Sequence, residues 1–388
     1  MNPVELKPGI YWVGIIDWGL RSFHGYTTNR GATYNAYLIV DEKIALIDTV
    51  KAPFASDLLA RIAQVIAPER IDYLVCNHVE MDHSGALPEV MAHMPNARVI
   101  CSAPKGQKGL AAHYGDYPYQ AVKAGDILSL GTRTLLFLHT PMLHWPDNMV
   151  TYCPEERLLF SNDAFGQHYA SSARFDDETG LDEVMQEAAK YYANIVMPYP
   201  SQVKAALRGL SNLAIEIVAP SHGVVWRTYG SRIVEAYRNW SDGPSPEAAV
   251  VVFQSMWHST EKMAAAIAEG FIARGLSTKL RDLNVCHRSD IMTDILESKI
   301  IAVGSPTLNN NMLPDVMAFL TYMRGLAPKG RKGLAFGSYG WSGQSVAQVE
   351  EMLSACGVEM LCKKISHAYV PDETILAKIR EQVMALHL

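Results

Sequence analysis

The spacing of apolar positions changes character near residue 245. Before it, short β-branched and aromatic runs are broken by polar pairs; after it, unbroken apolar runs alternate with longer amphipathic stretches. In the first part, Gly9–Ile16, Tyr34–Val40 and Lys43–Asp48 predict antiparallel hairpins, the last two split by Asp41-Glu42. A helix is expected over about residues 55–66, then a buried strand at Ile71–Cys76. Further strands are predicted at Arg98–Cys101, Arg133–Leu138, Met149–Cys153, Arg157–Ser161 and Ile215–Pro220, with helices at Leu181–Ala193 and Ser201–Gly209. A sandwich of two sheets with helices outside, an αββα arrangement, accommodates them all.

The second part predicts strands at Ala248–Phe253, Thr278–Asp282, Lys299–Gly304, Lys332–Gly337 and Glu359–Ile365. Runs such as Ala248–Phe253 lack polar alternation, as parallel strands covered on both faces do. Helices at Glu261–Arg274, Leu313–Gly325, Ser345–Cys356 and Asp372–His387 alternate with them, which is the pattern of a doubly wound α/β sheet. Ser241–Glu247, with two prolines and a glycine, reads as a linker, so the expected domains are 1–245 and 246–388.

Composition narrows the class. The 388 residues are 49% hydrophobic and 19% charged, with net charge −6 and scattered basic residues, so no nucleic-acid or acidic-membrane surface is expected. No run approaches the roughly 18 apolar residues of a membrane span, and no targeting signal is visible. Six well-separated cysteines without a C-x-x-C pair leave no place for a built-in rubredoxin-type iron site and fit a reducing, cytoplasmic compartment.

The densest chemistry is His78-Val79-Glu80-Met81-Asp82-His83, directly after a buried strand. In an extended loop, period-two spacing sends His78, Glu80 and Asp82 to one side, and a turn at His83-Ser84-Gly85 brings the last imidazole round. His144, Asp163 and His222 each follow an apolar strand, and strand ends on one rim of a sandwich can converge. Asp163 can bridge, one oxygen to each of two ions. Singly, each of these three is more often a satisfied core or loop residue; recurrence at strand ends gives them weight.

A second constellation lies after residue 250. The first strand–helix turn, Ser255-Met256-Trp257-His258-Ser259-Thr260, offers hydroxyls and free amides at a helix N-terminus, where a phosphate can sit without a cationic partner. It is neither a P-loop nor G-x-G-x-x-G. Ser305-Pro306-Thr307-Leu308-Asn309-Asn310 follows the third strand, and Ser338-Tyr339-Gly340-Trp341-Ser342-Gly343 the fourth. In a 2-1-3-4-5 sheet these loops flank the topological switch, where ligands bind. Tyr339, Trp341 and Trp257 can flank a flat ring, Asn309 and Asn310 can bond its polar edge, and Gly340 and Gly343 allow close backbone approach.

On these motifs the whole chain resembles the flavodiiron family: a metallo-β-lactamase-like domain followed by a flavodoxin-like FMN domain. Zinc hydrolases of the same superfamily usually carry histidine where Glu80 stands, and extra carboxylate suits iron. The resemblance implies one iron on His78, Glu80 and His144, another on Asp82, His83 and His222, and Asp163 bridging; some members lack coordination at the place of His83. It also implies that His24 and either Tyr191 or Tyr192 serve bound gas from beyond the ligands. By the same resemblance, FMN passes electrons to the irons, which reduce O2 to water or NO to N2O. The donor is external, rubredoxin or a reduced deazaflavin, and the assembly is a head-to-tail dimer or a dimer of dimers. Two alternatives are a zinc hydrolase with a passenger flavodoxin domain, and an electron-transfer protein with an inactive metal domain.

Overall fold

The computed structural model describes residues 1–388, the side chain of Pro246 apart. It divides into two compact units: Met1–His24, Thr28–Tyr191 and Ser201–Arg238 form one; Gly25–Thr27, Tyr192–Pro200 and Asn239–Leu388 form the other.

In the first unit a seven-stranded sheet runs in the order Val4–Lys7, Ile10–Trp12, Tyr37–Ile39, Ala45–Ile47, Tyr73–Cys76, Arg98–Ser102, Tyr119–Val122. A five-stranded sheet follows the order Ile127–Ser129, Thr134–His139, Met149–Cys153, Leu158–Asn162, Ile217–Pro220. Ile10, Trp12, Ile47, Val75 and Ile100 from the first sheet meet Phe137, Met149, Phe160 and Ala219 from the second in one buried core. The opposite face of the larger sheet, with Leu38, Leu46, Leu74 and Val99, buries Leu58 and Ile62 of helix Ala55–Ile62 and Val90 of Leu87–Ala92. Successive side chains of the larger sheet's strands enter one core and then the other, as Leu74 and Val75 or Val99 and Ile100 do.

The hairpin strands are shorter than predicted. Gly9–Ile16 divides into Ile10–Trp12 and Ile15–Asp17, and Tyr34–Val40 into Ala32–Tyr34 and Tyr37–Ile39, with Ile15–Asp17 and Ala32–Tyr34 pairing away from the main sheet. The metal-motif loop is not extended throughout: Met81–Ser84 forms a helical turn with Glu80 at its N-cap, so Asp82 and His83 project from a first turn. Helix Leu181–Tyr191 continues as a wider π-type turn through Tyr192–Val196.

The second unit is a parallel sheet in the order Ser277–Asp282, Ser245–Phe253, Ser298–Gly304, Lys332–Tyr339, Ile365–Ala368. The predicted strand Glu359–Ile365 is two short strands, Glu359–Met360 and Ile365–Ala368, both pairing with Lys332–Tyr339. A helix absent from the sequence reading, Arg288–Glu297, buries Ile291, Met292, Ile295 and Leu296. The segment read as a linker holds regular structure instead: a helix runs to Asp242 and the first strand begins at Ser245. Within this unit, Ala249, Val251, Ile300 and Leu334 pack against Ile267 and Phe271 of helix Ser259–Ala273. No helix among the described residues is long and apolar enough to cross a membrane.

Candidate metal centre and cofactor cavity

His78 follows strand Tyr73–Cys76 by two residues, Asp163 leaves the end of Leu158–Asn162, and His222 lies just past Ile217–Pro220. His144 belongs to the connection between Thr134–His139 and Met149–Cys153. These ends share one rim. His78, Glu80, His144 and Asp163 form one group, Asp82, His83 and His222 a second, with the ligand atoms of each group within 4.8 Å of one another. Asp163 joins the two: Oδ2 lies 3.4 Å from His144 Nε2, and Oδ1 lies 3.0 Å from His83 Nε2 and 3.3 Å from His222 Nε2.

The donor set fits two ions. Both oxygens of Asp82, Asp163 Oδ2 and both ring nitrogens of His83 are buried without a hydrogen-bond partner, a costly arrangement for a chain alone. His222 Nε2 stands 3.3 Å from Asp82 Oδ2, and His144 Nε2 stands 3.3 Å from Glu80 Oε2. Two ligands each roughly 2.1 Å from one ion, at right angles, lie about 3 Å apart. Three carboxylates among seven groups make the set hard, favouring iron over zinc.

The electrostatics agree. Burial alone would raise the Glu80 carboxyl, yet the imidazoles of His144, His24 and His78 hold it far below its usual range. Burial would likewise raise Asp163, but the charge of His83 and the neighbouring imidazoles of His144 and His222 hold it well down. Burial lowers His144 and His222, but Asp163 with Glu80 lifts the first to about 9, and Asp163 with Asp82 lifts the second to about 10. Such imidazoles carry protons that incoming metal must displace.

Around the candidate ligands the chain supplies orientation. Asp147 Oδ2 accepts from His78 Nδ1 and from the Val79 amide, each at 2.9 Å, and the Thr33 carbonyl lies 2.7 Å from His222 Nδ1. Past His222 the backbone turns at Gly223 with φ +82, where a Cβ would strike Gln167. Tyr191 donates to Asp163 Oδ1 at 3.0 Å, and His24 Nε2 stands 2.8 Å from Glu80 Oε1 with its ring largely exposed. The bond to Glu80 raises the His24 imidazole. Of the two tyrosines read together, Tyr192 goes elsewhere and packs on Trp240. His139 bonds the Val122 carbonyl as a structural histidine. Sequence reasoning missed Asp147 and the buried His168, whose ring lies 4.8 Å from His222 and 5.2 Å from Tyr191. Burial and the His222 charge keep His168 well below the usual imidazole range, and therefore neutral. The one available signal was its position five residues after Asp163.

The second unit holds a cavity of about 680 Å³, a size suited to a cofactor. Ser255, Met256, Trp257 and Ser259 line one side, Pro306–Asn310 another, and Ser338–Ser342 a third. The Ser255 hydroxyl is buried there without a partner, beside the N-terminus of helix Ser259–Ala273, as a phosphate-binding group would be. Four expected contacts lie outside the lining. Thr260 Oγ1 pairs with Ser338 Oγ at 2.8 Å, His258 turns to Glu261, Ser305 Oγ receives the Leu313 amide, and Gly343 leaves room for the Tyr339 ring. These shape the loops. Tyr369 and Val370, which sequence reasoning did not name, complete the wall.

Residues 32–223 match the ODP family beta lactamase model and residues 251–382 the flavodoxin model. A nitric oxide reductase of Moorella thermoacetica is 49% identical over 368 residues, covering 93% of this chain and 92% of that protein. Among solved structures, the rubredoxin oxygen:oxidoreductase of Desulfovibrio gigas aligns with TM-score 0.96 at 42% identity, covering 99% and 98% of the two chains. The flavodiiron protein of Giardia intestinalis aligns with TM-score 0.96 at 38% identity, covering 100% of this chain and 96% of the other. A β-lactamase-like unit with a carboxylate-rich pair of metal groups, a flavodoxin unit with its cofactor cavity, and relatives matching end to end lead to one assignment: the chain belongs to the flavodiiron proteins, oxidoreductases that carry FMN and a non-haem diiron site.

Proposed function

We propose that this chain reduces O2 to water, NO to N2O, or both, with His78, Glu80 and His144 holding one iron, Asp82, His83 and His222 the other, and Asp163 shared. The observation that carries this is the joining of two ligand groups through Asp163, with buried polar atoms left unmatched around it. Bound, the irons supply reversible redox and Lewis acidity toward a diatomic gas, and FMN supplies electrons taken in pairs and passed singly. Every other task belongs to side chains. Asp147 and the Thr33 carbonyl fix the rings of His78 and His222. His24, exposed at its ring and raised by Glu80, can hold a proton at the rim, and Tyr191 holds its hydroxyl on Asp163.

In the cofactor cavity, Ser255, Ser259 and the helix N-terminus support a phosphate, Tyr339, Trp257 and Trp341 flank the ring, and Asn309 and Asn310 face its edge. Trp257 and Trp341 are 85% and 92% exposed, and Tyr369 and Val370 stand out beside them. Such a rim supports contact with a second copy, placing the flavin of one subunit at the irons of its partner in a head-to-tail dimer or a dimer of dimers. The donor is a separate carrier: rubredoxin, after the name of the Desulfovibrio gigas protein, or a reduced deazaflavin. Six free cysteines fit a cytoplasmic setting.

The zinc-hydrolase reading is not favoured, because Glu80 hardens the site and the flavin cavity is fully formed. His78→Ala and Asp163→Ala are expected to abolish gas reduction while FMN stays bound. The test is anaerobic turnover of flavin-reduced protein with O2 and NO separately, alongside metal analysis. Full turnover in either variant would overturn the site assignment.

A further inference from the structure

Strand Ala45–Ile47 ends at Asp48, a residue that belongs to neither ligand group and is 2% exposed. Its backbone takes φ +55, a left-handed conformation that aspartate tolerates better than most residues. Oδ1 accepts the Asn77 amide at 2.7 Å; Oδ2 accepts Asn77 Nδ2 at 3.1 Å, Asn162 Nδ2 at 3.4 Å and Ser221 Oγ at 3.5 Å. Each partner immediately precedes a candidate ligand: Asn77 before His78, Asn162 before Asp163, Ser221 before His222. The network reaches the fourth loop as well. Asn148 Nδ2 donates to Asn162 Oδ1 at 3.1 Å, and Asn148 Oδ1 accepts the amide of Trp145, which follows His144.

We propose that Asp48 is the positioning residue of the whole centre, a single buried acceptor that fixes the spacing between both metal groups by anchoring the residues next to His78, Asp163 and His222. The strands that end in these loops pair through their backbones, but pairing sets register and leaves the loops free to splay. A carboxylate is the suitable anchor because it only accepts, and every group that reaches it here donates. Asp147 differs in reach. It touches the backbone and ring of one ligand segment, His78-Val79. Loss of Asp48 therefore disturbs both ions together, whereas loss of the Asp147 charge disturbs one.

This inference rests on the two-ion reading above, and one titration separates the two. The full FMN-loaded chain is stripped of metal and titrated with Co(II), whose visible spectrum reports ligand geometry at each ion. Wild-type protein taking up fewer than two Co(II) would sink the two-ion reading itself. Given two in wild type, Asp48→Asn is expected to weaken both ions in step, about 10–100-fold, with a changed spectrum and unchanged flavin content. Asp147→Asn is expected to weaken only one. Asp48→Asn protein that binds two Co(II) with wild-type affinity and spectrum, or loses only one, overturns the proposal. Should that variant fail to fold, Asn162→Ala decides: paired but smaller weakening supports the anchor, and wild-type binding overturns it.

Discussion

Replacing Asp147 by alanine isolates what a neighbouring carboxylate contributes to an imidazole proposed to bind metal. One oxygen accepts two donors, His78 Nδ1 and the Val79 amide, each at 2.9 Å, and the residue is buried. Alanine leaves both donors buried and unmatched, at about 1–3 kcal/mol apiece, so the first unit is expected to lose about 2–6 kcal/mol of stability. Metal affinity should fall about 10–100-fold, as is usual when such a partner is removed, which is about 1.4–2.8 kcal/mol. Asparagine keeps an acceptor oxygen and gives up only the charge, so its effect belongs at the lower end. The assay is reconstitution of the FMN-loaded chain with Fe(II), dialysis against graded chelator, and iron per subunit by colorimetry, with flavin absorbance as the internal reference. The alanine variant should release the ion held by His78 at weaker chelation than wild type, the asparagine variant in between, and flavin should stay constant. Identical iron retention in all three proteins would refute the argument, since the orientation of His78 would then owe nothing to Asp147.

Other outcomes follow from the same geometry. His83→Ala should leave one tightly held iron where wild type has two, because both its ring nitrogens lack another hydrogen-bond partner; colorimetric iron counting decides it. In metal-free protein, His144 and His222 are raised to about 9 and about 10 by Asp163 and its neighbours, against the outward pull of burial. Groups raised above the unfolded value near 6.5 stabilise the fold fully below that pH and lose the contribution as pH climbs through 9 and 10. The metal-free chain should accordingly melt lower at pH 10.5 than at pH 7, and iron should bind more tightly as pH rises toward that range; a flat melting profile would contradict both. Ser255→Ala removes the unmatched hydroxyl of the cofactor cavity and should weaken FMN roughly tenfold in a fluorescence titration, with iron content unchanged.

Local pattern carried much of the architecture. The unbroken run Ala248–Phe253 announced a parallel strand covered on both faces, because burial on two sides leaves no polar alternation to read. The loops that carry the candidate ligands were legible because His78, Asp163 and His222 each stand at the end of an apolar run, and such a run is a local property of sequence. Helix Arg288–Glu297 was missed although Ile291, Met292, Ile295 and Leu296 share a face, since ten residues between charged termini give a weak periodic signal. The extended reading of the metal loop failed at Met81–Ser84 for a related reason. Four residues cannot display a helical period, and the turn is held by amides of His83 and Ser84 returning to the Glu80 carbonyl.

What the sequence by itself determined, then, is the inventory: most of the strands and helices, the seven candidate metal ligands and the three loops that build the cofactor cavity. Which groups meet was decided only in three dimensions. Asp147 reaches His78 across 69 positions of chain, Tyr191 reaches Asp163 across 28, and Asp48 gathers residues as distant as Ser221, 173 positions away. Tyr191 and Tyr192 are chemically equal neighbours, yet one faces Asp163 and the other Trp240, because a single helical step rotates adjacent side chains by about 100°. Periodicity is a property of nearby residues; convergence depends on how whole sheets stack, and no short window of sequence contains that.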